Sequence, residues 1–196
     1  MKPRIILFIL SLVAILPGAT ALVVGGTVET THNLIDFGSG DRSEWSVVND
    51  GVMGGVSRSG LRLTDHETGI FAGVLSLENN GGFASVRAAV GHRDLSAWAG
   101  LEIRVRGDGR TYQLRLRTND RFDGVAYRAF FETSADEWTT VRLPFARFEP
   151  TFRGRTPRDA GPLDPAAVHQ VGFMLADKQP GAFSLEIDFV RTWVEE

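Results

Sequence analysis

Ser57 stands in Gly55-Val-Ser57-Arg-Ser59, which begins as a nucleophile elbow does. The closing glycine of Gly-x-Ser-x-Gly is missing, and no strand-then-helix setting surrounds it. Ser57 therefore reads as a loop hydroxyl tying down its own backbone. Thiol chemistry is closed to a chain without cysteine. His32, His66, His92 and His169 fall at no helix or ribbon spacing, so zinc has little support. Asp41, Asp50, Asp65 and Asp177 lie in loops, where calcium finds oxygen ligands, but solvated turns use the same residues. Glu102, Glu132 and Glu186 sit mid-strand and could supply a glycosidase's pair of acids; an alternating strand also turns Glu outward for no chemical purpose. Gly107-Asp-Gly109 lacks the third glycine of a dinucleotide fingerprint and the helix it should open. The chain is expected to be no enzyme, with no cofactor and no metal.

Binding surfaces are harder to dismiss. Trp45, Trp98, Trp138 and Trp193 suit a core as well as a sugar or protein platform, and most should be core. Arg104, Arg106, Arg115 and Arg117 fall on one face of what look like adjacent strands. They read as a guanidinium patch or as a solvated face with Glu102 as partner. The run Trp45-Ser-Val-Val-Asn-Asp-Gly-Val-Met-Gly-Gly-Val-Ser57 sets Gly51, Gly54 and Gly55 beside Asn49 and Asp50. These are the residue types that tolerate φ > 0, so this is a shaped loop between the apolar anchors Trp45 and Val56.

The elements that must hold this loop are strands. Leu101, Ile103 and Val105 alternate with Glu102, Arg104 and Arg106, and Tyr112, Leu114 and Leu116 with Gln113, Arg115 and Arg117. Period-two patterning with one wet face marks antiparallel strands packed on one side. Further strands are expected at 33–37, 60–63, 69–77, 83–90, 125–133, 138–143, 168–175 and 183–189. The 69–77 and 83–90 runs, joined through Asn80-Gly81, are expected to form a hairpin. Residues 145–165 form a long Pro-, Gly- and Arg-rich connection of the kind that binds or covers something. No amphipathic helix exceeds two turns. Many short strands punctuated by turns predict one all-β domain, an antiparallel β-sandwich or jelly roll.

The N-terminus reads as a targeting segment. Lys2 and Arg4 precede an apolar run from Ile5 to Leu16, and Ala19-Thr-Ala21 offers the small residues of a cleavage site. Residues 1–21 are expected to be a cleaved signal peptide, 22–32 a leader and 33–196 the domain. The expected location is the exported, periplasmic side of a bacterial envelope, with no membrane span after cleavage. A formal charge of −3 without a basic run gives no reason to expect nucleic acid.

Taken together, the motifs resemble those of the complex I intermediate-associated protein 30 family. The resemblance rests on Trp45 to Ser57, on Phe71-Ala-Gly-Val-Leu-Ser76 and on Asn79-Asn-Gly-Gly-Phe83-Ala-Ser-Val-Arg87. It continues in Gly100 to Asp108 and in Gly172 to Gly181 and on to Asp188. It covers about residues 33 to 192. It implies a galactose-binding-like jelly roll and a non-catalytic, assembly-factor-like role, since mitochondrial members assist respiratory complex I assembly. The chain departs from those members in carrying a secretory-type signal in place of an Arg/Ser-rich transit peptide, and in lacking a long N-terminal extension. Two functions follow as expectations: a protein-binding assembly module, or a carbohydrate-binding module by analogy of fold. For the first, the contact surface is expected at Asn49, Asp50, Gly51, Met53, Gly54, Gly55 and Ser57. Asn79 and Asn80, and Asp177 and Lys178, complete it from two neighbouring turns.

Overall fold

The computed structural model describes residues 31–39 and 43–195; the expected signal peptide and most of the leader lie outside them. The chain runs through β1 (Asn33–Asp36), β2 (Trp45–Val47), β3 (Arg58–Leu63), β4 (Gly69–Leu75), β5 (Ala84–Arg93) and β6 (Gly100–Arg106). It continues through β7 (Thr111–Arg117), β8 (Ala126–Glu132), β9 (Trp138–Pro144), β10 (Glu149–Thr151), β11 (Val168–Leu175) and β12 (Gly181–Trp193). Only single 3-10 turns interrupt the strands among the described residues.

The strands form two six-stranded antiparallel sheets. The first has the order β3-β4-β12-β6-β9, and the far half of the long β12 also pairs with β1. The second has the order β10-β8-β7-β11-β5-β2. The inward sides meet in one core. Phe71, Leu101, Ile103, Val105, Leu185 and Ile187 come from the first sheet, and Val86, Leu114, Leu116, Val171 and Phe173 from the second. Each such side chain contributes about 1.5–3 kcal/mol on leaving water, so the sandwich holds without disulfides. This is the jelly-roll sandwich that the alternation predicts.

Two expectations about neighbours are corrected. The 69–77 and 83–90 runs are not a hairpin, because β4 lies in the first sheet and β5 in the second. Asn79 and Asn80 both take φ > 0 while Gly81 is extended, so the dipeptide steers a crossing between sheets and not a two-residue turn. Likewise β6 and β7 belong to opposite sheets, which splits the four expected arginines into two unrelated pairs. Within the 145–165 connection, β10 forms one edge of the second sheet; its Pro150 is tolerated at an edge.

Candidate functional site

Asp50 organises the glycine-rich loop. It starts the 3-10 turn Asp50–Met53 and is completely buried. Its Oδ1 accepts from the Ser57 N–H at 2.9 Å, and its Oδ2 from the Ser57 hydroxyl at 2.5 Å and the Gly82 N–H at 2.7 Å. A weaker bond comes from the Phe83 N–H at 3.3 Å. Burial works to raise this carboxyl, but the Ser57 hydroxyl and the N–H groups of Gly82, Ser57 and Phe83 hold it below the ordinary carboxylate value. Two glycines make the room. A Cβ on Gly55 would lie 2.4 Å from Asp50 Cγ, and one on Gly81 2.6 Å from Oδ2. Gly54 caps the turn with φ 91°, a left-handed conformation glycine adopts at no cost. Asn49 Oδ1 adds bonds from the Ser59 hydroxyl and the Ser85 N–H. The carboxylate thus fastens the loop after β2 to the segment entering β5.

Residues 48–57, 76–83 and 176–180 meet at one end of the sandwich, so the expected contact residues are brought together. They differ in exposure. Asp50 and Ser57 are buried and Asn49 and Gly55 half-buried, whereas Gly51, Met53, Gly54, Asn79, Asn80 and Lys178 are exposed. Asp177 is half-buried in a two-pronged pair with Arg110, at 2.9 and 2.7 Å, and also accepts from the Gln179 N–H. Arg110 bonds the Gln179 and Ala182 carbonyls too, which fixes the turn and aims Lys178 outward.

Val52, Met53, Leu77, Asn80 and Lys178 form one rim of a groove of about 690 Å³ across the outer face of the second sheet. Strand register sets Arg128 opposite Arg115, and Gly172 of β11 between Arg115 and Arg87. The neighbouring row, toward the glycine-rich loop, is Phe130, Gln113, Met174 and Ser85. Arg117, Gln170, Phe122 and Phe152 line the other end. The Arg87 guanidinium lies 4.4 Å over the Phe122 ring and that of Arg128 5.1 Å over Phe130. Arg115 donates to Met174 Sδ and Arg117 to the Gly124 carbonyl. None of Arg87, Arg115, Arg117 and Arg128 forms an ion pair among the described residues. The one acid in the lining, Asp123, is paired with Arg153 at 2.8 Å. Burial, with Arg117, Arg128 and Arg87 close by, pushes the Arg115 guanidinium down to about 10. Gln113 Oε1 and Arg128 Nε are buried without hydrogen-bond partners among the described residues.

The opposite face behaves differently. Arg104 pairs with Asp188 and Arg106 with Glu186, while Glu102 accepts from both Arg142 and Arg191. Glu102 and Glu186 are therefore structural ion-pair partners on the first sheet, and Glu132 lies on the second; the three acids do not converge. His92 and His169 meet edge to face at 5.2 Å, a pairing the linear spacing conceals. No group of three metal-binding side chains occurs among the described residues. All four tryptophans are half-buried; Trp45 and Trp98 pack against the core, and none lines the groove. Trp138 lies beneath Arg104 and Arg106, and Trp193 beneath Arg142. Sequence reasoning reached Arg115 and Arg117 but missed Arg87 and Arg128. The available signal was the absence of acids at the outward positions around them in β5, β7 and β11.

Comparison with known proteins gives the framework its relatives. Residues 35–187 match the Complex I intermediate-associated protein 30 (CIA30) family. "Complex I intermediate-associated protein 30, mitochondrial" of Mus musculus is 30% identical over 175 residues, 79% of this chain and 53% of that protein. Its Drosophila melanogaster counterpart is 27% identical over 183 residues, 82% of this chain and 62% of that protein. The chain thus spans little more than half the length of these relatives. Among solved structures, the family 11 carbohydrate-binding module of the cellulosomal cellulase Lic26A-Cel5E of Clostridium thermocellum superposes with a TM-score of 0.66. That match has 15% identity over 84% of this chain and 95% of that one, and it speaks to the fold alone. The mitochondrial names of the relatives overturn the expectation of an exported, periplasmic protein. That expectation rested on Lys2, Arg4 and the apolar run Ile5 to Leu16, which lie outside the described residues. With the family pattern covering most of the chain and running through the Asp50 loop and both sheets, this protein belongs to the complex I intermediate-associated protein 30 family.

Proposed function

We propose that the chain is a non-catalytic binding module that holds a protein partner in the groove on the outer face of the second sheet, in the manner of an assembly factor. One observation carries this reading: the groove combines exposed apolar side chains, Val52, Met53, Phe122 and Phe130, with polar groups that have no partner of their own. Surfaces of that composition are completed by another molecule. Subunit intermediates of complex I are the partners to which the relatives' names point.

A carbohydrate-binding role is the second reading, favoured by the likeness of fold. Against it, none of the four tryptophans lines the groove, and the guanidiniums of Arg87 and Arg128 each occupy one face of the Phe122 and Phe130 rings. Affinity capture separates the two. Phe130→Asp should lose the captured proteins while Thr140→Asp, on the first sheet, keeps them. Equal capture by both variants would remove the groove from consideration. Oligosaccharides that raise the melting temperature of the wild type, but not of Phe130→Asp, would favour the second reading.

A further inference from the structure

The two outer faces of the sandwich treat arginine in opposite ways. On the first sheet Arg104, Arg106, Arg142 and Arg191 are each matched by a carboxylate from a neighbouring strand. On the second, Arg87, Arg115, Arg117 and Arg128 stand together without an ion pair among the described residues; Asp123 acts on Arg87 and Arg117 by its charge but is paired with Arg153, and the chain as a whole is acidic. A guanidinium partly withdrawn from water and pressed against like charges costs the fold stability unless something offsets it. Among the described residues Arg128 Nε has no acceptor, and the 5% exposed Gln113 keeps Oε1 open in the same groove. Gly172 is buried and lets β11 pack closely on β5, since a Cβ there would meet the Val86 carbonyl at 2.6 Å and Arg87 Cβ at 2.9 Å, so Arg115 and Arg87 flank a position with no side chain of its own. Strands about 4.8 Å apart place Arg128, Arg115 and Arg87 along a line of roughly 14 Å.

From this geometry we propose that the groove receives an extended, carboxylate-rich peptide segment of the partner, laid across β8, β7, β11 and β5. Its acidic side chains take the unpaired guanidiniums, and its apolar ones contact Met53, Met174 and Phe130. This rests on the protein-binding reading above and specifies the chemistry of that partner. Alternate residues of an extended peptide lie about 6.6–6.8 Å apart, so acids two or four residues apart can follow the row of guanidiniums. Met53 and Met174 supply adaptable contacts between charges.

The probe is a fluorescent ten-residue peptide in which Glu and Leu take turns at every second position with Ser between them, so that both face the sheet, titrated by anisotropy against the full chain. Saturable binding is expected, weakening steeply with salt, and the Gln-for-Glu analogue should not bind. Arg115→Gln with Arg128→Gln should lower affinity about tenfold to a hundredfold, while Arg104→Gln with Arg106→Gln, an equal charge change on the other sheet, should leave it within twofold. Thermal melts of both double variants confirm that each is folded. Equal loss in the two double variants, or equal binding of the Gln peptide, overturns the proposal. So does tighter binding of a uronate oligosaccharide, or of inorganic phosphate, than of the Glu peptide. If the Glu peptide fails while Phe130→Asp still abolishes protein capture, the acidic chemistry is wrong and the protein-binding reading stands. If that capture is also unaffected, both fall.

Discussion

Replacing Asp50 tests whether its carboxylate builds the groove rim. Asp50→Ala removes the acceptor of four hydrogen bonds in a completely buried position. The Ser57 hydroxyl can fall back on the Ser76 carbonyl at 3.2 Å, and the Phe83 bond is long. That leaves the N–H groups of Ser57 and Gly82 without partners, at about 1–3 kcal/mol each. With the small cavity, the expected loss is about 3–5 kcal/mol, or roughly 10 °C in Tm for a chain of this size. Asp50→Asn keeps the shape and loses less, about 2 kcal/mol, because its amide can face the single Ser57 N–H while its carbonyl serves Gly82. Urea unfolding followed by tryptophan fluorescence measures both. A cycle with Ser57→Ala should return a coupling of about 1–3 kcal/mol. A loss below about 1 kcal/mol for Asp50→Ala, with an unchanged m-value, would refute the reasoning.

Three further outcomes are expected. Asp50, Glu102, Asp177 and Glu186 are all held below the ordinary carboxylate values despite burial, by the hydroxyl, arginine and backbone donors around them. Their contribution is complete above those ordinary values and is lost as pH falls through the lower folded ones, so the urea midpoint should hold from pH 7 to about 5 and drop below about 4; a midpoint flat to pH 3 would contradict this. Gly55→Ala should cost about 1–3 kcal/mol by driving its Cβ into Asp50, whereas Gly51→Ala, with open space around it, should be near neutral, and equal Tm values would dismiss the packing argument. Arg115→Gln should stabilise the free protein by about 1–2 kcal/mol, because the folded state carries this charge at a cost. In the wild type the same cost fades as pH rises past about 10, where the folded protein loses this proton before the unfolded chain does, so stability should rise there, and a destabilised Arg115→Gln would contradict both statements.

The strands were legible because one face of each is apolar at period two, and β11 falls on the residues expected of it. The two omitted strands, β2 and β10, are three-residue edges with no room for alternation. What linear patterning leaves open is which sheet a strand joins. That gap produced the false hairpin at Asn80-Gly81 and the false grouping of Arg104 with Arg115. The importance of Asp50 was readable from its glycines; its inward direction was not, since Gly81 and Gly82 reach it from about thirty residues away. The groove itself needed the fold, because Arg87, Arg115 and Arg128 come from three strands that meet only through β11 and the β7–β8 pairing.

The most direct measurement is a photo-crosslinking scan in intact source cells, with benzoylphenylalanine placed singly at Met53, Phe122 and Phe130 in the groove and at Leu63 and Thr140 on the first sheet. Binding through the groove predicts one shared protein adduct from the three groove positions and none of it from Leu63 or Thr140. The same adduct from the first sheet, with the groove positions silent, would contradict the account.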